Sequence, residues 1–248
     1  MGVIYILWER QLKRYWRSKE RMIGSLGQPI LFLLALGYGF GKMFQQAGGG
    51  NYIQFLAPGI IAMSILFTAM FSGIEIIWDR QFGFLKETLV APVAKWKIMF
   101  GRTLGGATVA CLQGVVVLLI SLLVGFRISN FLLLPAALFF MFLTAFLFTA
   151  LGTALATKLE DMNAFPIIIN FLIMPLFFLS GALFPLQGAP RGLQIIARLN
   201  PLSYGVDGLR GLLGANFHFG LGLDAVVMVL ITALVFGIGS YLFSRIRI

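Results

Sequence analysis

Charged side chains are scarce in this sequence of 248 residues. It has 19 Lys and Arg and only 9 Asp and Glu, or 11% charged residues, where a soluble domain carries about 25%. So few charges cannot cover a soluble fold of this size. A single cysteine excludes a disulfide-rich secreted domain, and 59% apolar content excludes a disordered chain. The composition leaves a polytopic membrane protein.

The sequence contains several long runs of apolar residues. A helix needs about 20 mainly apolar residues to cross a bilayer, and six runs meet that length. The fold class is therefore predicted as an all-α polytopic membrane protein with six transmembrane helices. The predicted spans cover residues 22–41, 55–77, 103–126, 131–157, 164–184 and 221–243. A signal peptide is the rival interpretation of the first run, but it is of span length and no good cleavage site follows.

The basic residues predict the orientation of these spans. With the N-terminus inside, 14 Lys and Arg fall in the inner segments and 5 in the outer ones, as the positive-inside rule requires. The chain is therefore predicted to have six spans with both termini in the cytoplasm, and to lie in the cytoplasmic (inner) membrane. The net charge of +10 is thus attributed to topology, and no nucleic-acid-binding module is visible.

Residues 3–21 are amphipathic and too basic to span a membrane. Apolar and aromatic residues recur at helical spacing, and Arg and Lys occupy the remaining positions. This pattern predicts a helix at the membrane surface whose basic face meets anionic lipids. A plain positive-inside anchor is the alternative, and the two are compatible. The residues expected at the surface are Trp8, Arg10, Arg14, Trp16 and Arg17.

The longest inner loop, 78–102, contains a short helix between Gly83 and Pro92. Exposed apolar residues on a cytoplasmic helix favour docking to another protein, and a connector that packs on its own bundle is the open alternative. At the start of this loop, Asp79 is spaced i,i+4 from Glu75, and Arg80 is expected to relieve the repulsion between the two acids.

Residues 180–213 are too broken by proline for a span and too apolar for an exposed loop. Asn200 is expected to cap a helix that begins at Pro201. Asp207 and Arg210, three residues apart, are expected to pair on that helix. Helices of this kind enter a bilayer only where protein or a water-filled cavity shields their ends.

These two segments carry a pattern that resembles the membrane subunit of type-2 ABC exporters, the permease family of daunorubicin-resistance and nodulation-factor exporters. One part of the pattern is Arg80…Gly83…Leu85-Lys86…Ala91-Pro92…Gly101-Arg102. The other is Ser180-Gly181…Phe184-Pro185…Asn200-Pro201-Leu202-Ser203-Tyr204…Asp207…Arg210.

The resemblance implies roles for both segments. Residues 83–92 would be the coupling helix that contacts an ATP-binding subunit, and residues 186–213 would form two re-entrant helices that close the pathway near the extracellular leaflet. The implied contacts to the ATP-binding subunit are Arg80, Gly83, Leu85, Lys86, Glu87, Thr88, Leu89 and Pro92. The implied extracellular gate consists of Ser180, Gly181, Pro185, Asn200, Pro201, Tyr204, Asp207 and Arg210.

The resemblance also implies partners: two copies of an ABC ATP-binding subunit and a second permease chain, with a homodimer favoured over a heterodimer. The chain itself lacks a P-loop, because Gly37–Met43 is one residue short and has no hydroxyl. We therefore expect no enzyme activity and no directly bound cofactor, with ATP and Mg on the partner.

The expected function is export of a hydrophobic or amphipathic substrate, such as a drug, an antibiotic or a lipid-like molecule. An ion-coupled secondary transporter is the alternative. It is disfavoured because Glu75 and Asp224 lie near span ends and no acid lies in the middle of a span.

Overall fold

All regular structure in the computed structural model is helical. The model describes residues 2–48, 50–90, 92–159, 161–214 and 218–245, and no strand occurs within these ranges. Along the chain the helices are α1 (Val3–Arg17), α2 (Lys19–Gly39), α3 (Gly41–Gln46), α4 (Tyr52–Phe71), α5 (Ile74–Gln81), α6 (Phe84–Val90), α7 (Lys95–Val124), a 3-10 turn (Phe131–Leu133), α8 (Leu134–Ala156), α9 (Ala164–Phe178), α10 (Arg191–Leu199), α11 (Pro201–Leu213) and α12 (Leu221–Ser244).

Among the residues that the structure describes, five stretches are long and apolar enough to cross a membrane, and they coincide with five of the six predicted spans. They are Met22–Gly39, Tyr52–Gln81, Lys95–Val124, Phe131–Ala156 and Leu221–Ser244. The prediction of an all-helical membrane fold is confirmed.

The remaining predicted span, the fifth at 164–184, contains a helix that is shorter than expected. Its helix α9 ends at Phe178 after 15 residues, about 22 Å at 1.5 Å per residue, against a hydrocarbon core of about 30 Å. The chain then turns, because Gly181 adopts a φ of +75° that glycine tolerates and other residues rarely do. The apolar run thus continues past the helix into a turn.

The two ends of the helix bundle differ in charge. At one end, here called the basic end, Arg80 in the last turn of α5 binds carbonyls after α8, and Lys95 of α7 binds the carbonyl of Ser244 at the end of α12. At the other end, here called the far end, Gln54 of α4 binds Arg127 after α7. The described parts of the segments predicted to be cytoplasmic therefore meet at one end. Which compartment that end faces stays a prediction.

The stretch that contains α4 and α5 lies at the centre of the bundle. In its most apolar 18 residues 72% are buried, against only 17% in the corresponding parts of α2 and α12. The apolar outer faces of α2 and α12 suit a lipid environment, since hydrocarbon does not penalise exposed leucine.

The central stretch touches α8 through backbone atoms. A Cβ added at Gly73 would lie 2.4 Å from the carbonyl oxygen of Gly152, and one added at Gly152 would lie 2.5 Å from the carbonyl oxygen of Met70. Small residues let transmembrane helices approach closely. These two glycines therefore set the distance between α4–α5 and α8.

We expect Gly152→Leu to destabilise the protein by about 1–3 kcal/mol or more, because overpacking forces backbone shifts. Thermal unfolding of the purified protein in detergent would measure the loss. Gly237→Leu on α12 is the matched control, since a Cβ there meets nothing within 4 Å. Equal melting temperatures for the two variants would contradict the assigned contact.

Candidate functional site

A buried cluster of charged residues lies at the basic end. Asp79 on α5 is 2% exposed and accepts hydrogen bonds from Arg10 of α1, at 2.9 Å, and from the buried Arg102 of α7. One turn away, Glu75 pairs with Arg14 at 3.2 Å. Charges removed from water need partners of opposite sign. These pairs join α1, α5 and α7.

Matching helical spacings produce this cluster. Glu75 and Asp79 are spaced i,i+4 on α5, and Arg10 and Arg14 are spaced i,i+4 on α1, so each acid meets one arginine of α1. The expectation that Arg80 would relieve the repulsion between the two acids is wrong. The guanidinium of Arg80 instead donates to the carbonyls of Thr157, at 2.9 Å, and Leu159, at 3.3 Å, beyond the C-terminal end of α8, where a cation is favoured.

The amphipathic helix α1 packs along α7. A Cβ at Gly105 would lie 2.6 Å from the side chain of Gln11. The indole of Trp8 donates to the hydroxyl of Thr108 at 3.1 Å. Trp8, Arg10 and Arg14, expected at the membrane surface, therefore contact protein.

The other two residues expected at the membrane surface lie on the outer side of α1. The side chain of Trp16 is 71% exposed, and Arg17 is also exposed. Contact of this side of α1 with lipid stays a prediction.

The short helix α6 follows α5 through a turn at Gly83, whose φ is +80°. Leu85, implied to contact a partner subunit, is 1% exposed and packs in the core of this chain. The exposed apolar side chains of this segment are Phe82, Phe84 and Val90, at 70%, 52% and 81%. An apolar surface of this kind indicates an interaction site.

The structure describes only some of the other residues of this loop that are implied to contact the partner subunit. Thr88 donates its hydroxyl hydrogen to the carbonyl of Phe84 at 2.9 Å, and Pro92 is exposed. The side chains of Lys86, Glu87 and Leu89, and the whole of Ala91, lie outside the described part of the structure.

At the far end, α11 begins as predicted. The side chain of Asn200 accepts a hydrogen bond from the N–H of Leu202 at 3.0 Å, and Pro201 occupies the first turn. Asn200 also donates to the carbonyl of Leu176 in α9 at 2.6 Å. Tyr204 donates to the carbonyl of Arg198 in α10 at 2.7 Å. These bonds hold α9, α10 and α11 together.

Asp207 and Arg210 do not form the ion pair expected from their spacing. Asp207 accepts backbone hydrogen bonds from His218 and Phe219, the shortest at 2.7 Å. Arg210 donates to the carbonyl of Gly181 at 3.0 Å, and its guanidinium lies 3.9 Å from the centre of the Phe55 ring. The two charges therefore fix two different loops against α11.

The turn after α9 completes this far-end cluster. The hydroxyl of Ser180 donates to the carbonyl of Phe177 and accepts from the N–H of Ala182. A Cβ at Gly181 would lie 2.8 Å from Leu186, so the turn is tightly packed. The exposed Pro185 lies at the edge of a cavity of about 390 Å³ that Asp207 and Arg210 also line.

Within the described ranges there is no group of three or more His, Cys, Asp or Glu that could hold a metal ion. The charged residues of both clusters bind other helices and loops of this chain, so the clusters hold elements of the fold together.

We expect Asp79→Asn to cost about 3–5 kcal/mol, because it leaves Arg102 buried without a counter-ion. Thermal unfolding in detergent would measure the cost. Asp161→Asn is the control, because it makes the same change at an exposed acid. Combining Asp79→Asn with Arg102→Met should recover part of the loss. No recovery in the double variant would contradict the assigned pair.

We expect that exchanging Asp207 and Arg210, as Asp207→Arg with Arg210→Asp, will not restore the stability lost in either single variant. The reason is that each side chain has its own backbone partners. The matched control exchanges Glu9 and Lys13, which do pair at 2.7 Å on the exposed side of α1. Full recovery of the melting temperature in the Asp207 and Arg210 exchange would show a direct pair.

Known proteins with a similar sequence include proteins named as transport permeases. The family model described as ABC-2 type transporter matches residues 2–213. The putative transport permease ycf38 of Cyanophora paradoxa is 32% identical over 84% of this chain and 72% of its own length. Nodulation protein J of Rhizobium leguminosarum bv. trifolii is 30% identical over 83% of this chain and 76% of its own.

The inner membrane transport permease YadH of Escherichia coli K12 is 29% identical over 85% of this chain and 82% of its own length. Membership of this family implies a separate ABC ATP-binding subunit as partner. The chain belongs to the ABC-2 type transporter family, as the multi-pass membrane subunit of an ABC transporter.

Proposed function

We propose that this chain is the permease of an ATP-driven exporter in the cytoplasmic membrane. It moves a hydrophobic or amphipathic substrate, such as a drug, an antibiotic or a lipid-like molecule, out of the cytoplasm or the inner leaflet. Two copies of the partner subunit bind ATP and Mg and hydrolyse the ATP. Two permease chains, identical in the simplest arrangement, form one pathway.

The exposed apolar surface of α6 is the observation that carries this proposal. Phe82, Phe84 and Val90 project from the basic end, where hydrocarbon does not cover them if that end is cytoplasmic. Burying one such side chain against a partner is worth about 1.5–3 kcal/mol. We assign this surface to the cleft of the ATP-binding subunit.

The contacts around α6 explain how movement of the partner would reach the bundle. Gly83 connects α6 directly to α5. The acids of α5 hold α1 and α7, and Arg80 holds the segment after α8. A displacement of α6 would therefore move α5 and, through these contacts, α1, α7 and the segment after α8.

The far-end cluster is the proposed outward gate. The turn at Gly181 and the loop before α12 are held to α11 by Arg210 and Asp207 through hydrogen bonds. Hydrogen bonds of this kind contribute about 1 kcal/mol each. Their energy is small enough for a conformational change to break and remake them.

We expect Phe84→Asp combined with Val90→Asp to weaken capture of the co-expressed ATP-binding subunit about tenfold or more, because two apolar contacts are lost. Affinity capture from detergent, followed by ATPase assay of the complex, measures this effect. Leu199→Asp on α10 is the matched control, since Leu199 is 78% exposed at the other end. Leu85→Asp is avoided because Leu85 is buried. Undiminished capture by the double variant would overturn the docking surface.

A transport assay separates this mechanism from ion coupling. Transport in vesicles that contain both subunits should stop on ATP depletion and continue with a protonophore. The reverse pattern would identify an ion-coupled carrier.

A further inference from the structure

A cavity of about 450 Å³ lies between α1 and α2 on one side and α4, α5 and α7 on the other. This volume is within the range of small-molecule sites. The cavity shares one residue, Glu75, with the charged cluster at the basic end. It is distinct from the far-end cluster. Because Glu75 and Ser72 at the start of α5 line it, the cavity lies in the half of the bundle nearer the basic end.

The cavity wall has an apolar part and a polar part. Phe67 and Phe71 lie parallel, 6.5 Å apart, and form the apolar part with Met63. Gln11, Gln28 and Trp78 are among its polar lining residues. This division matches a molecule with a compact apolar body and a small polar group.

The charges around the cavity select against an ionised ligand. Glu75 is the one formally charged side chain among the described lining residues, and Arg14 already pairs with it at 3.2 Å. An anion would meet that carboxylate with no unpaired cation in the wall. A cation would compete with Arg14 for a carboxylate that is already neutralised. The wall therefore favours an uncharged molecule.

Two polar groups in the wall can serve such a ligand. They are the side-chain amides of Gln11 on α1 and Gln28 on α2, which both line the cavity. An amide carries donors and an acceptor, and a hydroxyl group can use either kind.

We propose that this cavity binds an uncharged, hydroxyl-bearing amphiphile with a compact apolar body. The ligand would come from the inner leaflet, either as a membrane lipid or as a small molecule dissolved there. Its role as cargo rests on the proposed export function. The binding itself requires neither ATP nor the partner subunit.

Photolabelling of the purified permease in maltoside micelles tests the proposal. The probe is trifluoromethyl-diazirinyl benzyl alcohol, and its benzoate analogue is the charged counterpart. We expect saturable labelling of α4 and α5 by the alcohol and none by the benzoate. Non-saturable labelling, or equal labelling of the lipid-facing sides of α9 and α12, would overturn the site.

Two glycines on α2 provide a matched pair of variants. A Cβ at either Gly24 or Gly27 meets nothing within 4 Å, and Gly24 lines the cavity whereas Gly27 does not. Gly24→Phe should lower the apparent affinity for the alcohol about tenfold or more, and Gly27→Phe should leave it unchanged. Equal affinities in the two variants would overturn the proposal.

A second variant tests the hydrogen bond without filling the cavity. Gln28→Leu keeps a side chain of similar volume and removes the amide. It should weaken binding of the alcohol about two- to tenfold, the value of one net hydrogen bond, and leave the methyl analogue of the probe unaffected. An equal effect on both probes would overturn the assigned role of Gln28.

Adding bilayer lipid to the same micelles distinguishes the two possible sources of the ligand. Suppressed labelling identifies a membrane lipid as the occupant, and unchanged labelling identifies a small-molecule site. Either result presupposes saturable binding. Because the ATP-binding subunit is absent, failure of this experiment leaves the test of the exporter proposal unaffected.

Discussion

The pairing of Asp79 with two arginines is the interaction on which the basic end of this protein depends. An isolated charge in an apolar bundle costs far more than a surface charge does. Asp79 and Arg102 are both nearly inaccessible, so each is stable only while the other is present. Arg10 adds a second cation from α1. The folded position of α1 is therefore tied to the electrostatics of α5 and α7, and not only to its amphipathic surface.

This dependence gives the basic N-terminal segment a structural role within the protein. Its arginines are typical of a positive-inside anchor, and that description accounts for Arg17, which is exposed. Arg10 and Arg14 have a second role, because they neutralise acids of the helix that leads into α6. A segment whose composition is typical of a membrane anchor therefore also joins the helix that leads into α6 to the bundle.

Local features were predictable from the sequence, and contacts between distant segments were not. The apolar runs predicted the long helices because hydrophobic length is a property of one segment. The Asn200 cap on α11 was predictable because it depends on adjacent residues. The pair of Arg10 and Asp79 joins residues 69 positions apart, and no local spacing reports it.

Tertiary structure also decided two cases that the sequence could not: the pairing expected from the spacing of Asp207 and Arg210, and the exposure of Leu85. Spacing favoured a pair between Asp207 and Arg210, but backbone groups of two loops bind them instead. Leu85 belongs to the motif for partner contact, yet it packs in the core of its own chain. The exposed neighbours Phe84 and Val90 could have been singled out only by knowing which side of α6 faces the bundle.

The glycine contacts of the central stretch limit how this protein can move. At Gly73 and Gly152 two backbones meet without a side chain between them, and Gly59 meets the backbone of Ala182 in the same way. Side chains can change rotamer to fill a gap between helices, but backbone atoms cannot. Any movement of the central stretch away from α8 therefore breaks these contacts with nothing to replace them. Surfaces that side chains separate can repack, so movement costs less there.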